Sequence, residues 1–107
     1  MGRKKLDLKN CSMIELAYAK TGSMLKAARV VAFVHAWSVV RRELGREPTI
    51  AEYVEYWKES TATAYRHLAE FREVFTKCET PGQVLDHIED QAQDVAGRAD
   101  FARLALA

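Results

Sequence analysis

Apolar residues recur along this chain at spacings of three and four, the period of a helix face. Ile50, Tyr53, Val54 and Trp57 form one such stripe, and Ala64, Leu68, Phe71 and Phe75 form another. The two stripes predict short amphipathic helices separated by Lys58-Glu59-Ser60. Thr49 followed by Glu52 is a capping box for the first helix, and Ser60 is a good N-cap for the second. Upstream, Ser12 to Glu15 is another capping box, opening a helix that Gly22 ends in the C′ position. Ser23 then caps the longest pattern, Met24 to Leu44, which Gly45 closes. Its Ala27, Val30, Val31, Phe33, Val34, Trp37, Val40 and Leu44 cover more than one stripe. That helix is therefore expected to be central and contacted from several sides. His35 within it is expected to be a satisfied, partly buried side chain. Thr80 and Pro81 read as N-cap and N1 of a further helix with Val84, Leu85, Ile88, Ala92 and Val95 on its apolar face. Gly97 interrupts that pattern, and residues 99–107 read as a short final helix or a loose tail. No alternating hairpin follows Phe75. The expected fold is a single all-α domain of about five helices. Its expected core contains Val34, Trp37, Val54, Trp57, Leu68 and Phe71.

At Ser60-Thr61-Ala62-Thr63-Ala64-Tyr65-Arg66 the pattern becomes more specific. The run resembles the start of the recognition helix in bacterial and phage helix-turn-helix DNA-binding proteins, which often read Ser-x-x-Thr-x-Tyr-Arg. The match extends back to Ile50 without a gap and covers about a quarter of the chain. Val54 falls where that family usually has Ala, and Trp57 falls on its core position before the turn. The family's turn usually carries Gly and then an aliphatic residue, where this chain has Lys58 and Glu59. Lys58 must then adopt the positive φ usually left to Gly. The resemblance implies a helix-turn-helix over residues 49–75, without a wing. It implies a sequence-specific DNA-binding protein of bacterial, phage or mobile-element origin, a transcriptional regulator, with residues 60–75 in the major groove of double-stranded DNA. The implied DNA-binding residues are Lys58, Ser60, Thr61, Ala62, Thr63, Tyr65, Arg66 and Arg72. Arg66 matches the two acceptors of guanine, small residues at 62 and 69 allow close approach, and Lys58 and Arg72 suit backbone phosphate.

Charge adds a second line. The chain carries 16 Lys+Arg and 15 Asp+Glu, so net charge alone gives no nucleic-acid signal. The distribution is asymmetric: residues 1–44 hold nine basic and three acidic side chains, and residues 78–107 hold two and six. A basic first half and an acidic tail give a polar molecule with one face suited to phosphate. Residues 1–9 read as a basic arm or a frayed end. Arg41 and Arg42 suit the C-terminal dipole of the long helix and could also reach phosphate. Glu70, four residues after Arg66, is expected to form a solvated pair with it.

No Gly-rich phosphate loop, nucleophile motif, metal-ligand spacing or paired carboxylates are present in the sequence. The expectation is a binding protein rather than an enzyme, with no cofactor and no metal. Cys11 and Cys78 lie outside any C-x-x-C pattern, which fits a reducing cytoplasm. The longest apolar run, Val30 to Val34, is too short to span a bilayer, which needs roughly 20 residues. Leu85, Ile88, Val95, Phe101 and Leu104 exceed what a solvated tail needs. They suggest a homodimer through residues 80–107, or a segment folded back on the long helix. The alternative function is a helical protein–protein interaction module that works through the long apolar helix and the acidic C-terminal segment.

Overall fold

The structure, a computed structural model, describes residues 11–91 and 100–105. Among the described residues six helices follow one another: α1 (Met13–Thr21), α2 (Met24–Leu44), α3 (Ile50–Trp57), α4 (Thr61–Val74), α5 (Pro81–Gln91) and α6 (Ala102–Ala105). There is no strand among the described residues, and none of their helices is long and apolar enough to cross a membrane. The arm at 1–9, together with Ala92, Val95 and Gly97, lies outside the described residues.

Local sequence sets the helix ends. The Ser12, Ser23 and Ser60 hydroxyls each accept the backbone N–H three residues on. Thr49 and Glu52 form the reciprocal capping box. Gly22 and Gly45 end α1 and α2 at φ of 70° and 71°, where a Cβ would be strained. Pro81 opens α5, as expected of an N1 residue, but the Thr80 hydroxyl turns away and donates to Glu47 Oε2 at 2.9 Å.

Helix α2 is the axis. It packs against α1, α3, α4 and α5, and buries Ala27, Val30, Phe33, Val34, Trp37 and Val40. Rings pass from one helix to the next around it. Tyr53 of α3 stacks on Trp37 at 5.5 Å and meets Phe33 edge-on at 5.3 Å. Phe33 meets Phe71 of α4 at 6.3 Å, Phe71 stacks on Phe75, and Phe75 meets Phe101. The one polar atom of the Trp37 ring donates to Glu47 Oε1 at 3.0 Å, so its burial leaves no donor unpaired. Gly82 makes room for that carboxylate, since a Cβ there would lie 1.6 Å from Glu47 Oε2.

The C-terminal segment folds back. Lys77 N–H donates to the Leu104 carbonyl, and Thr76 and Lys20 both donate to the Ala105 carbonyl. Phe101 is buried, and Leu85, Ile88 and Leu104 pack against the core. The apolar surplus that suggested a dimer contact is used within the chain, apart from Val95, which is not described.

Three expectations need correction. Trp57 is 41% exposed, and Tyr53, at 2%, takes its place in the core. Both lie on the α3 stripe four residues apart, but it is the Tyr53 ring that packs between Phe33 and Trp37 of α2, while Trp57, the last residue of α3, touches α2 only at its edge. Trp57 rests on the rim with its ring N–H donating to the Ala36 carbonyl at 3.2 Å. Val54 is only half-buried, beside the core rather than in it. His35 is exposed, on a face of α2 that no helix among the described residues covers.

The exchange of Tyr53 for Trp57 is directly testable. Tyr53→Ala should cost about 3–5 kcal/mol, as for other large buried aromatics. Trp57→Ala should cost about 1 kcal/mol, in the range of ordinary partly exposed positions. Urea unfolding followed by circular dichroism reads both, and equal costs would refute this assignment of the core.

Candidate nucleic-acid interface

The connection between α3 and α4 is three residues long and built by the backbone. Lys58 adopts φ 54° and ψ 43°, the left-handed conformation. The N–H groups of Lys58 and Glu59 both donate to the Val54 carbonyl, which closes the end of α3. The chain then reverses into Ser60, extended at φ −72° and ψ 147°, and α4 begins. The positive φ expected of Lys58 is therefore present without glycine. Glu59 stands where an aliphatic residue was expected and turns inward. Its Oε1 lies 3.2 Å from His67 Nδ1, too poorly aligned for a hydrogen bond. It is an ion pair only when the ring is protonated.

Helix α4 divides cleanly. Ala64, Leu68, Phe71 and Val74 are buried. Thr61, Ala62, Tyr65, Arg66, Ala69, Arg72 and Glu73 are exposed. At 100° per residue, Ala62, Arg66, Ala69 and Glu73 share the centre of the outward face. Thr61, Tyr65 and Arg72 lie along one flank, and Thr63, His67 and Glu70 along the other. Tyr65 is 52% exposed.

The polar groups of this face are only loosely tied. Ser60 Oγ donates to Thr63 Oγ1 at 2.7 Å while accepting the Thr63 N–H, and Arg66 reaches Thr63 Oγ1 at a long 3.4 Å. Lys58 Nζ pairs with Glu55, both side chains being more than 70% exposed, so the pair is worth little in water. Arg72 is held more firmly, its Nε donating to the Glu79 carbonyl at 2.9 Å. Arg41 is likewise occupied by the Gly82 carbonyl and Asp86 of α5, which removes it from the groups expected to reach phosphate.

The expected Arg66–Glu70 pair does not form. Glu70 accepts instead from Arg29 of α2, through Nε at 3.2 Å and Nη2 at 2.8 Å. The fork matches both carboxylate oxygens, a geometry that a single long side chain on its own helix cannot better. This hydrogen-bonded contact holds the Glu70 carboxyl below its ordinary range, with smaller help from His67 and Lys26. The acidic side chain nearest Arg66 on α4 is thereby turned aside and neutralised. Arg29 and Lys26 act on this face without having been among the expected contacts. Nothing local points to them, since Arg29 and Glu70 are 41 positions apart.

At the other end of the motif, Glu52 is held at a pKa of about 2, first by hydrogen bonding to Arg46 and then by the Thr49 backbone. Tyr56 and Trp57 form an exposed edge-to-face pair at 4.9 Å just before the turn.

Comparison with known protein families, with characterised proteins and with solved structures finds no match to this chain.

The left-handed turn gives a prediction. A Cβ in this conformation costs about 1 kcal/mol, so Lys58→Gly should raise stability by about that amount. Lys58→Ala keeps the Cβ and should give no such gain. Urea midpoints of both variants against the parent check this. A destabilised Lys58→Gly would mean that the side chain, not the backbone, holds the turn.

Proposed function

We propose that the chain is a sequence-specific DNA-binding protein, a transcriptional regulator of the helix-turn-helix kind, with α4 as its recognition helix. The observation that carries the reading is the outward face of α4. Arg66 stands there between the small residues Ala62 and Ala69, with Glu70 drawn off by Arg29. A guanidinium free to offer two parallel donors is the commonest reader of guanine, and small neighbours let the helix approach base edges. Ser60, Thr61, Thr63 and Tyr65 supply hydroxyls, and the first turn of α4 carries no acidic residue. Its positive dipole end therefore stays available to phosphate. Lys58 and Arg72 flank the helix as phosphate contacts, Arg72 once it leaves the Glu79 carbonyl.

The competing reading, a protein-interaction module working through the long helix and the acidic C-terminal segment, has less apolar surface to work with. Val30, Phe33, Val34, Trp37 and Val40 of α2 are core, which leaves Met24, Leu25 and Leu44 as its exposed large apolar side chains. A homodimer through residues 80–107 would let two α4 helices meet successive major grooves about 34 Å apart, but the described apolar residues of that segment pack on the chain's own core. The setting is a reducing cytoplasm, in which buried Cys11 and Cys78 stay as thiols.

The test is a titration of parent and Arg66→Ala against a DNA site selected from a random pool and against a scrambled duplex. Arg66→Ala should cost about 1–3 kcal/mol on the selected site and relax preference at one base pair. Circular dichroism should show unchanged helicity, since the side chain is exposed. A folded Arg66→Ala protein that binds the selected site as tightly as the parent would reject α4 as the reading helix.

A further inference from the structure

Helices α2 and α4 run antiparallel. Arg29 meets Glu70, and one turn further along α2 Phe33 meets His67, one turn back along α4. The first turn of α2 therefore lies beside the later turns of α4, at the opposite end from Lys58 and Ser60. From Ser60 to Glu70 the rise is about 15 Å, close to the roughly 12 Å width of the major groove. A helix lying across the groove with Ser60 and Lys58 at one wall brings its Glu70 end to the other.

That second end carries two cations of α2. Lys26 is exposed on the first turn of α2, where its backbone N–H is capped by Ser23 and no acidic residue offsets the helix dipole. Arg29 stands one turn on, with its side chain 40% exposed although it is paired. Glu70, 17% exposed, sits behind these cations and consumes part of their charge. Exposed Glu73 also opposes them.

We infer that Lys26 and Arg29 of α2 contact the phosphate backbone on the far wall of the groove, and that Glu70 restrains this contact by occupying Arg29. The inference rests on the DNA reading and adds its second anchoring point. It makes Glu70 an internal brake: removing its charge frees a guanidinium beside the duplex without altering the base-reading face.

The test is the salt dependence of binding by the full chain, with Glu70→Gln and Lys26→Ala compared with the parent on both the selected and the scrambled duplex. Each phosphate contact contributes about 0.9 to the slope of log affinity against log salt, or about threefold between 50 and 200 mM. Glu70→Gln should bind both duplexes more tightly at low salt, with the slope steeper by about one. Lys26→Ala should flatten the slope by about one on both. Tighter binding by Glu70→Gln cannot arise from lost folding. An unchanged slope in either variant overturns the inference while leaving α4 as the reader. If the parent binds neither duplex, the DNA reading falls and this contact falls with it.

Discussion

The packing of Phe33 and Trp37 on α2 against Tyr53 on α3 and Phe71 on α4 fixes the rest of the molecule. Each of the four rings is at most 3% exposed. Close-packed rings tolerate little displacement, so the angle between α3 and α4 is set by α2 rather than by the three-residue turn alone. The turn then follows: Lys58 accepts the left-handed conformation because both helices it joins are already placed. The clasp of Trp37, Glu47, Thr80 and Gly82 carries the same constraint to α5. A short motif with a strained connection is held from outside itself.

The same arrangement decides the electrostatics of α4. A helix with Glu70 and Glu73 in its later turns is poorly suited to a polyanion. Packing α2 antiparallel beside it delivers Arg29 to Glu70 and leaves Arg66 without a carboxylate partner. The two charges gain little net stability, because Arg29 is 40% exposed and well solvated. Their effect lies in where charge is left: Arg66 has only a long contact to the Thr63 hydroxyl, while the paired carboxylate is turned to the flank.

What the sequence made legible is what is decided within three or four residues. The caps at Ser12, Ser23, Thr49 and Ser60, the stops at Gly22 and Gly45, and the bounds of α2 are of this kind. The unusual φ at Lys58 was legible too, from the resemblance around Ser60–Arg66. The stripe of α3 named both Tyr53 and Trp57, but periodicity cannot say which end of a two-turn helix meets its neighbour. The Arg66–Glu70 reading failed for a related reason. Spacing permits an i,i+4 pair worth a few tenths of a kcal/mol, and a bidentate partner from another helix outcompetes it. Surplus apolar residues near the C-terminus could serve a partner or the chain's own core, and composition is the same in both cases.

The central claim is that the chain meets double-stranded DNA along α4, from the turn at Lys58 to the first turn of α2. Amide chemical-shift mapping of the full chain, titrated with a duplex carrying its selected site, tests this most directly. The account predicts the largest changes at residues 58–66, a second group at residues 23–29, and little at α5. Changes confined to α5 and the Tyr56–Trp57 rim, or none up to saturating duplex, would contradict it.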